Sequence, residues 1–429
     1  MNPIKTPLDQ RAVKRIVAAL CLSTLAEWLG STAVLPLLPV YLRHHGSSNA
    51  LVGVTMAAFF AAALAVQYPI GRLSDRIGRR QVQIGGLVVF SVATVLFVFS
   101  SNPYLDLVFR ALQGCGAGVV DVANAATIGE VVPDTHRGRA YGVFWGSRTA
   151  AMAIGPFFGG IAGLSGMRWV FLGAGAASLM AVIPVILVIP SRRLTQRPAG
   201  IVRPPRTRLW QNRSFVGVAI AFAAVGVVVG VYETCWSLLL TSKGASSWEV
   251  GISWTLFAFP FAVMSFPAGW LVDRLDRRYL VAFALLGSAT FAMTYPWLGS
   301  VPLIICLGSL EAVLTAIGTP AEGAQLAQSV RPDELGRAQG AAASAQTGAT
   351  AVAALLSGTL FGIHPWLPFV GGSVLILVGV ALLGVFWRGV SGRAVAFSSS
   401  VDVGTGVPIL ESPAAVATHS AERTGPLAS

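Results

Sequence analysis

The sequence predicts an all-α polytopic membrane protein with twelve transmembrane helices in two pseudo-symmetric six-helix bundles. Hydrophobic residues make up 54% of the chain and charged residues only 11%, whereas soluble domains carry about 25% charged residues. Apolar stretches of about 20 residues, enough to cross a bilayer, recur along the chain. Landmarks of the first half return in the second half at a constant offset, which indicates a duplicated fold.

The repeat is plainest in a ten-residue segment that begins at Gly71 and returns at Gly269, 198 positions later. The same offset maps Pro69 onto Pro267, Gly46 onto Gly244, Gly53 onto Gly251, and Gly138-Arg139-Ala140 onto Gly336-Arg337-Ala338. Repeated halves in an apolar chain are typical of secondary transporters.

The predicted spans, numbered 1 to 12, cover residues 16–43, 50–71, 81–101, 104–131, 139–164, 168–190, 214–242, 248–272, 279–299, 301–328, 338–362 and 365–387. They must be helices, because backbone groups cannot stay unpaired in lipid and barrel strands would be half as long. The predicted domains are a tail (1–15), a first bundle (16–190), a linker (191–213), a second bundle (214–387) and a C-terminal tail (388–429). The C-terminal tail is expected to be disordered, because it has too little apolar content to fold.

The net charge of +12 is concentrated in a subset of the loops. Most of the 30 Lys and Arg residues fall on one side if both chain termini are cytoplasmic, and the positive-inside rule selects that orientation. The expected location is therefore the cell inner membrane, with many crossings. The expected partners are membrane lipids, protons and a small-molecule substrate, and nucleic acid is excluded.

Cofactor chemistry has no signal in the sequence. The four cysteines, Cys21, Cys115, Cys235 and Cys306, fall inside predicted spans and are interpreted as small apolar residues. The chain has no GxxxxGK phosphate loop and no His/Cys cluster. We expect a monomer that is not an enzyme and that uses no cofactor and no metal.

The segment from Gly71 to Arg80 joins spans 2 and 3 on the predicted cytoplasmic side. Gly71 allows two backbones to approach closely, and Asp75 can cap the positive N-terminus of a neighbouring helix. Arg76 and Arg79 can pair with acids or with lipid phosphates. A plain positive-inside loop would also fit, but the duplication of the acid within a basic cluster favours a gate.

With these residues the chain resembles the major facilitator superfamily over residues 16–387. The segment Gly71-Arg72-Leu73-Ser74-Asp75-Arg76-Ile77-Gly78-Arg79-Arg80 is similar to the signature of that family between spans 2 and 3. The resemblance implies that Asp75 docks near Gly336–Gly340 on span 11 in the outward-facing state, and that Glu130 pairs with Arg76. In the second copy, Asp273 matches Asp75, and Asp276 is expected to substitute partly for it.

Two further segments are similar to motifs of that family. The segment 107–117 on span 4, which contains Arg110, resembles a motif associated with proton coupling. Gly155-Pro156-Phe157-Phe158-Gly159-Gly160 on span 5 resembles a motif associated with antiporters. Its glycines allow a close helix contact and Pro156 favours a bend, although ordinary packing would use the same residues. The matching positions 353–358 lack this motif, and this one-sidedness favours an exporter.

Charged residues inside the spans are the candidate functional groups, because a charge in the bilayer is costly and usually functional. Spans 1, 4, 7 and 10, which line the central cavity in this family, each carry one acid: Glu27, Asp121, Glu233 and Glu311. The bases are Arg110 on span 4 and Arg148 on span 5. At a rise of ~1.5 Å per residue, Glu27, Asp121 and Arg148 lie about 15 Å deep. The predicted substrate cavity adds Trp28, Trp145 and Trp236.

These features predict a proton-coupled exporter of small lipophilic molecules, cationic or neutral, that works by alternating access. Burial favours the neutral form of a carboxyl, so Glu27 and Asp121 can each take up a proton outside and release it inside. Glu27 is the first candidate, because no basic residue lies within a turn of it on its own helix. Asp121 has two open interpretations, a proton carrier and a permanent partner of Arg148.

Two alternatives remain from the sequence. The first is a proton-coupled metabolite importer. The second is a polytopic membrane enzyme that acts on lipids, which is disfavoured because His44 and His45 are expected to lie in a short outer loop with no acid nearby.

Overall fold

The computed structural model describes residues 10–132, 134–190, 208–331, 334–390 and 392. These residues form helices and turns, with no strand among them. Span 1 consists of Gln10–Val34 and Leu38–His44, and span 6 of Met167–Met180 and Val182–Val188. The other ten spans, from 2 to 5 and from 7 to 12, are Asn49–Ile77, Arg79–Leu96, Pro103–Val131, Asp134–Ala162, Arg213–Ser242, Ser247–Arg274, Arg277–Thr294, Val301–Ser329, Leu335–Ile363 and Leu367–Phe386. The predicted fold class is confirmed.

Length and composition alone identify fewer membrane crossings than the fold contains. In the described ranges, nine helices pass as spans, and a tenth passes if Ser247–Arg274, bent by 53°, counts as one. Spans 4 and 5 are each 29 residues long but fall outside this set. They carry charges along their length, including Arg110, Asp121 and Arg148, and these charges lower their mean hydropathy.

The duplication is visible in the element bounds. Span 3 and span 9 begin and end 198 positions apart, and so do spans 4 and 10. Gly46 and Gly244 both have left-handed backbone, with φ of 85° and 87°. Ser48 and Ser246, also 198 apart, both cap the following helix through the side chain. Each half therefore repeats the other in its turns as well as in its helices.

The structure differs from the predicted spans at two proline-containing sites and at several helix ends, such as the end of span 2 at Ile77 and the start of span 5 at Asp134. Span 1 begins at Gln10, six positions before the predicted start, and breaks between Val34 and Leu38 at Pro36. Span 6 breaks at Ala181, where Pro184 has no N–H to donate to the preceding turn. By contrast, Pro156 lies inside a continuous helix. Residues 191–207 of the predicted linker and the C-terminal tail from 393 onward lie outside the described residues.

The two halves meet at one end of the bundle, which we call the distal end and which contains the Gly46 and Gly244 turns. There a Cβ on Gly53 would lie 2.9 Å from the Cα of Gly358, and a Cβ on Gly160 would lie 2.9 Å from the Cα of Gly251. The hydroxyl of Ser237 donates a hydrogen bond to the carbonyl oxygen of Pro36 in the other half. Spans 2 and 11, and spans 5 and 8, therefore touch backbone to backbone.

The opposite end, which we call the basic end, contains Arg79, Arg277 and Arg337. Here a Cβ added to Gly71 or Gly269 would meet no described heavy atom within 4 Å. The same holds at Gly336 and Gly340 on span 11. Spans 2 and 11 thus touch backbone to backbone at the distal end, and these four glycines have no such neighbour among the described residues at the basic end.

Candidate functional site

Glu27 is the most deeply buried acid of the central site. The residue is 3% exposed and lies in the Gln10–Val34 helix, near the midpoint of span 1 as a whole. Its Oε2 atom is buried and has no hydrogen-bond partner among the described residues. The charged groups that act on it are Asp121 and Arg148. The sequence-predicted trio of Glu27, Asp121 and Arg148 is therefore brought together.

Arg148 joins three spans at this point. Its Nη1 lies 3.8 Å from Oδ1 of Asp121 on span 4. Its guanidinium lies 3.5 Å from the ring centroid of Trp28 on span 1, and 4.9 Å from that of Trp145 on its own span. Because the planar guanidinium stacks on aromatic faces and also pairs with an acid, its position is fixed from two directions. The side chain of Asp121 is 44% exposed, so this pair borders open space.

Arg110 is a second buried cation in the first half. It is 4% exposed, and its Nη1 donates to Oε1 of Gln113 at 3.0 Å. Its guanidinium lies 4.2 Å from the ring centroid of Phe59. Glu233 of span 7 faces this region from the other half, where the charges of Arg110 and Arg148 both act on it. The acid of the second half thus lies opposite the two bases of the first half.

Glu311 occupies a separate place in the second half. It is fully buried, and the hydroxyl of Tyr232 donates to both of its oxygens, at 3.0 and 2.9 Å. The hydroxyl of Tyr295 donates to Oε2 at 2.7 Å. A pocket of about 40 Å³ adjoins this carboxyl and is lined by Tyr232, Trp236, Ser253, Trp254, Phe257 and Glu311. Of the predicted cavity residues, Trp236 and Glu311 therefore belong to this pocket.

The loop between spans 2 and 3 has a different ion pair from the one that the resemblance implies. Nε of Arg79 lies 3.4 Å from Oε2 of Glu130, whereas Arg76 is exposed. Arg79 also donates to the hydroxyl of Ser74 at 2.9 Å. The reason is that span 2 ends at Ile77, just before Gly78 with its φ of 103°, so Arg79 begins span 3 beside the end of span 4. The side chain of Asp75 lies outside the described part of the chain.

The second copy of this loop is built differently. Asp276 replaces Gly78, and its Oδ1 accepts the backbone N–H of Arg278 at 3.0 Å. Its Oδ2 also pairs with the guanidinium of Arg278 at 2.6 Å. The carboxylate of Asp276 is therefore engaged at the start of span 9, which speaks against its substituting for Asp273. Asp273 itself is exposed.

The glycines of the span 5 motif are required by close neighbours. A Cβ on Gly155 would collide with the hydroxyl of Thr32, and one on Gly159 would collide with the carbonyl oxygen of Ala33. Both neighbours belong to span 1, whereas Gly160 meets Gly251 of span 8. The motif thus packs span 5 against its own half and against the other half at once.

The sequence reasoning missed two polar clusters. Asp106 is fully buried at the distal end, and its Oδ2 lies 3.7 Å from Nδ1 of His45. The expectation that the histidine pair has no acid nearby was therefore wrong, because span 4 starts beside that turn. In the first half, Nε2 of Gln83 donates to Oδ1 of Asn124 at 2.6 Å, which links spans 3 and 4. The second cluster could have been suspected from the sequence, because Gln83 and Asn124 are polar amides inside predicted spans.

A further buried acid lies outside both sites. Glu322 on span 10 is 7% exposed. It lies eleven positions beyond Glu311 on the same helix, toward the basic end. Its burial makes it a useful reference acid for tests of Glu27 and Glu311.

A membrane bundle of two repeated six-span halves, with charged groups in its interior and one end closed, defines a secondary transporter. The sequence profile of the Major Facilitator Superfamily matches residues 20–237 and again residues 215–411. The chain belongs to this superfamily.

Similar proteins include drug-resistance and uncharacterised transporters. The quinolone resistance protein NorA of Staphylococcus aureus (strain MSSA476) is 22% identical over 369 residues, which is 83% of this chain and 92% of NorA. An uncharacterised MFS-type transporter of Mycobacterium tuberculosis (strain ATCC 25618 / H37Rv) is 28% identical over 309 residues. That match covers 68% of this chain and 42% of the relative.

Solved structures share the fold. A bacterial homologue of the human lysosomal transporter Spinster, in an inward-facing and occupied conformation, has a TM-score of 0.74 at 16% identity, covering 89% of this chain and 98% of that chain. The human organic anion transporter MFSD10 (TETRAN) has a TM-score of 0.62 at 19% identity, covering 86% of this chain and 99% of that chain.

Proposed function

We propose that this protein is a proton-coupled exporter of small amphipathic molecules in the cell inner membrane, with its basic end in the cytoplasm. The observation that carries the proposal is the environment of Glu27. Its carboxyl is buried near the middle of span 1, has one unpartnered oxygen, and adjoins the Asp121–Arg148 pair. A buried acid without a fixed partner suits a proton carrier.

The exchange of charges around Arg148 couples the proton to the substrate. When Glu27 is protonated, Arg148 is left to Asp121 and to the ring of Trp28. When Glu27 loses its proton, a second carboxylate competes for the same guanidinium. The cavity then holds one more carboxylate than its bases neutralise, and a cationic substrate can pair with it. Proton release and substrate binding therefore favour each other, as antiport requires.

The distal glycine contacts close the outer end, a state that exporters and importers share in alternating access. In this state a substrate reaches the interior from the cytoplasm or from the adjacent leaflet. The span 5 motif contributes Gly160 to this seal, and the second half lacks that motif. The similarity to a protein named for quinolone resistance also favours drug efflux over nutrient import.

The substrate class follows from the lining of the interior. Acids and aromatic rings predominate, with Glu233, Trp28 and Trp145 near the centre. Such a surface suits lipophilic cations and neutral aromatic molecules. A metabolite importer would use the same charges in the opposite sense, so the direction of transport needs its own experiment.

The test is proton movement in everted membrane vesicles energised to an acid interior. Addition of a lipophilic cation such as tetraphenylphosphonium should collapse the pH gradient, and Glu27→Gln should abolish this response. Glu322→Gln is the matched control, because it neutralises another buried acid outside the central cluster. A Glu27→Gln protein that still exchanges substrate for protons would refute the role of Glu27. Accumulation of substrate in right-side-out vesicles with an acid exterior would identify an importer instead.

A further inference from the structure

The duplication supplies an internal reference for the pocket around Glu311. Each lining residue has a counterpart 198 positions earlier. The counterparts of Phe257 and Glu311 are Phe59 and Gln113. In the first half these two residues hold a cation, because the guanidinium of Arg110 lies 4.2 Å from the centroid of Phe59 and donates to Gln113 at 3.0 Å.

We call this pair of residues the cation holder. The second half keeps the holder, as Phe257 and Glu311, but lacks the cation. The counterpart of Arg110 is Gly308, so the helix presents no side chain at that position. A Cβ on Gly308 would first meet the ring of Trp236, at 3.4 Å, which is itself part of the pocket wall. The pocket therefore adjoins the place where the first half carries its guanidinium.

The holder is also more acidic in the second half than in the first. The amide of Gln113 is replaced by the carboxyl of Glu311, which is fully buried. Hydroxyls of Tyr232 and Tyr295 donate to it, and the described residues give it no ion pair. Hydroxyl donors satisfy the oxygens of a carboxylate and leave its charge in place. A cation that entered the pocket would favour the ionised form of this carboxyl and would meet the carboxylate and an aromatic face together.

We infer that this pocket binds the planar cationic head group, a guanidinium or an amidinium, of a transported molecule, in the position that Arg110 takes in the first half. The head group stacks on Phe257 and donates to Glu311, and Trp236 and Trp254 line the same pocket. The inference rests on the proposed function, for which it names the substrate class and the place of its charged end.

The test is calorimetric titration of the purified full-length protein with two biphenyl ligands of the same shape. One is 4-phenylbenzamidinium, and the other is the neutral 4-phenylbenzamide. We expect the wild-type protein to bind the amidinium roughly tenfold more tightly than the amide. Glu311→Gln should remove this preference, and Gly308→Arg should prevent amidinium binding because it restores the arrangement of the first half. Glu322→Gln, which neutralises another acid on the same span, should keep the preference.

Phe257→Leu provides a second test in case the Glu311 variant does not fold, because it leaves the carboxylate and its tyrosine donors intact. It should weaken amidinium binding several-fold and amide binding much less. Equal binding of the two ligands by the wild-type protein, or a preference that survives both substitutions, would overturn the inference. The titration uses no proton gradient. A preference for the amidinium alongside failed proton exchange in vesicles would therefore support the pocket and reject the coupling.

Discussion

Gly160 on span 5 and Gly251 on span 8 lie against each other, such that a Cβ on Gly160 would come within 2.9 Å of the Cα of Gly251. Gly53 and Gly358 form the same pair with the halves exchanged, since each lies 198 positions from its counterpart. The distal seal is therefore two copies of one contact. Glycine is required on both sides because any side chain would stand between the two backbones.

Gly251→Ala should open this seal. The added methyl must push spans 5 and 8 apart, at a cost of about 1–3 kcal/mol to the distally closed state. Spin labels at exposed Ser101 and Ser242, in a background without the native cysteines, should show a longer mean distance by pulsed electron paramagnetic resonance. Gly173→Ala is the control, because no described atom lies within 4 Å of its added methyl. Unchanged distances in the Gly251 variant would show that the seal tolerates a side chain.

Asp121→Asn should alter coupling and leave stability almost unchanged. Its pair with Arg148 is 3.8 Å long and its side chain is 44% exposed, so it contributes less than about 1 kcal/mol to the free energy of unfolding. The rings of Trp28 and Trp145 still hold Arg148 after the substitution. This expectation favours the interpretation of Asp121 as a proton carrier over that of a permanent partner of Arg148. Thermal unfolding in detergent measures it, and a loss of about 3 kcal/mol would mean that the pair is effectively buried.

Arg148→Lys should fail to replace arginine. A lysine keeps the charge near Asp121 but loses the flat guanidinium that lies 3.5 Å from the centroid of Trp28. We expect substrate-driven proton exchange to fall about tenfold, in line with a lost stacking and cation–π contribution of about 1–2 kcal/mol. The comparison is Arg139→Lys, an exposed arginine on the same span that should tolerate the exchange. Wild-type rates in the Arg148 variant would reduce its role to that of a point charge.

Arg79→Ala should impair the protein more than Arg76→Ala. Arg79 contacts Glu130 and Ser74 at the ends of spans 4 and 2, whereas Arg76 is exposed. Loss of these contacts frees the loop and should lower transport several-fold, with an effect on stability of at most about 1 kcal/mol. Transport assays on both alanine variants at equal expression decide the question. The reverse ranking would favour Arg76 as the working residue of the loop.

The repeat made the fold predictable from sequence, because the second copy of each turn confirmed the first. Gly46 and Gly244, for example, mark the same left-handed turn in both halves. The breaks in spans 1 and 6 were not predicted, although Pro36 and Pro184 were visible in the sequence. A proline can be absorbed in a continuous helix, as Pro156 is, and the sequence does not state which outcome occurs.

The site was predictable only as a set of charges. Depth along each helix placed Glu27, Asp121 and Arg148 together, because helical rise is regular. Their roles depended on rotation and packing, which a single sequence does not fix. The pocket around Glu311 was hidden for the same reason. Its tyrosine donors come from two other helices, and its open volume reflects a side chain that is missing at Gly308.

In genetic terms, the vacancy in the pocket depends on one codon, that of Gly308. A single base change converts a glycine codon into an arginine codon, so Gly308→Arg lies one mutation from the present gene. A cell exposed to an amidine toxin would gain nothing from that mutation. A population selected only for export of neutral compounds would not depend on keeping the pocket open. The two halves thus carry, at matching positions, a filled and a vacant version of the same cation holder, and point mutation is enough to exchange one for the other.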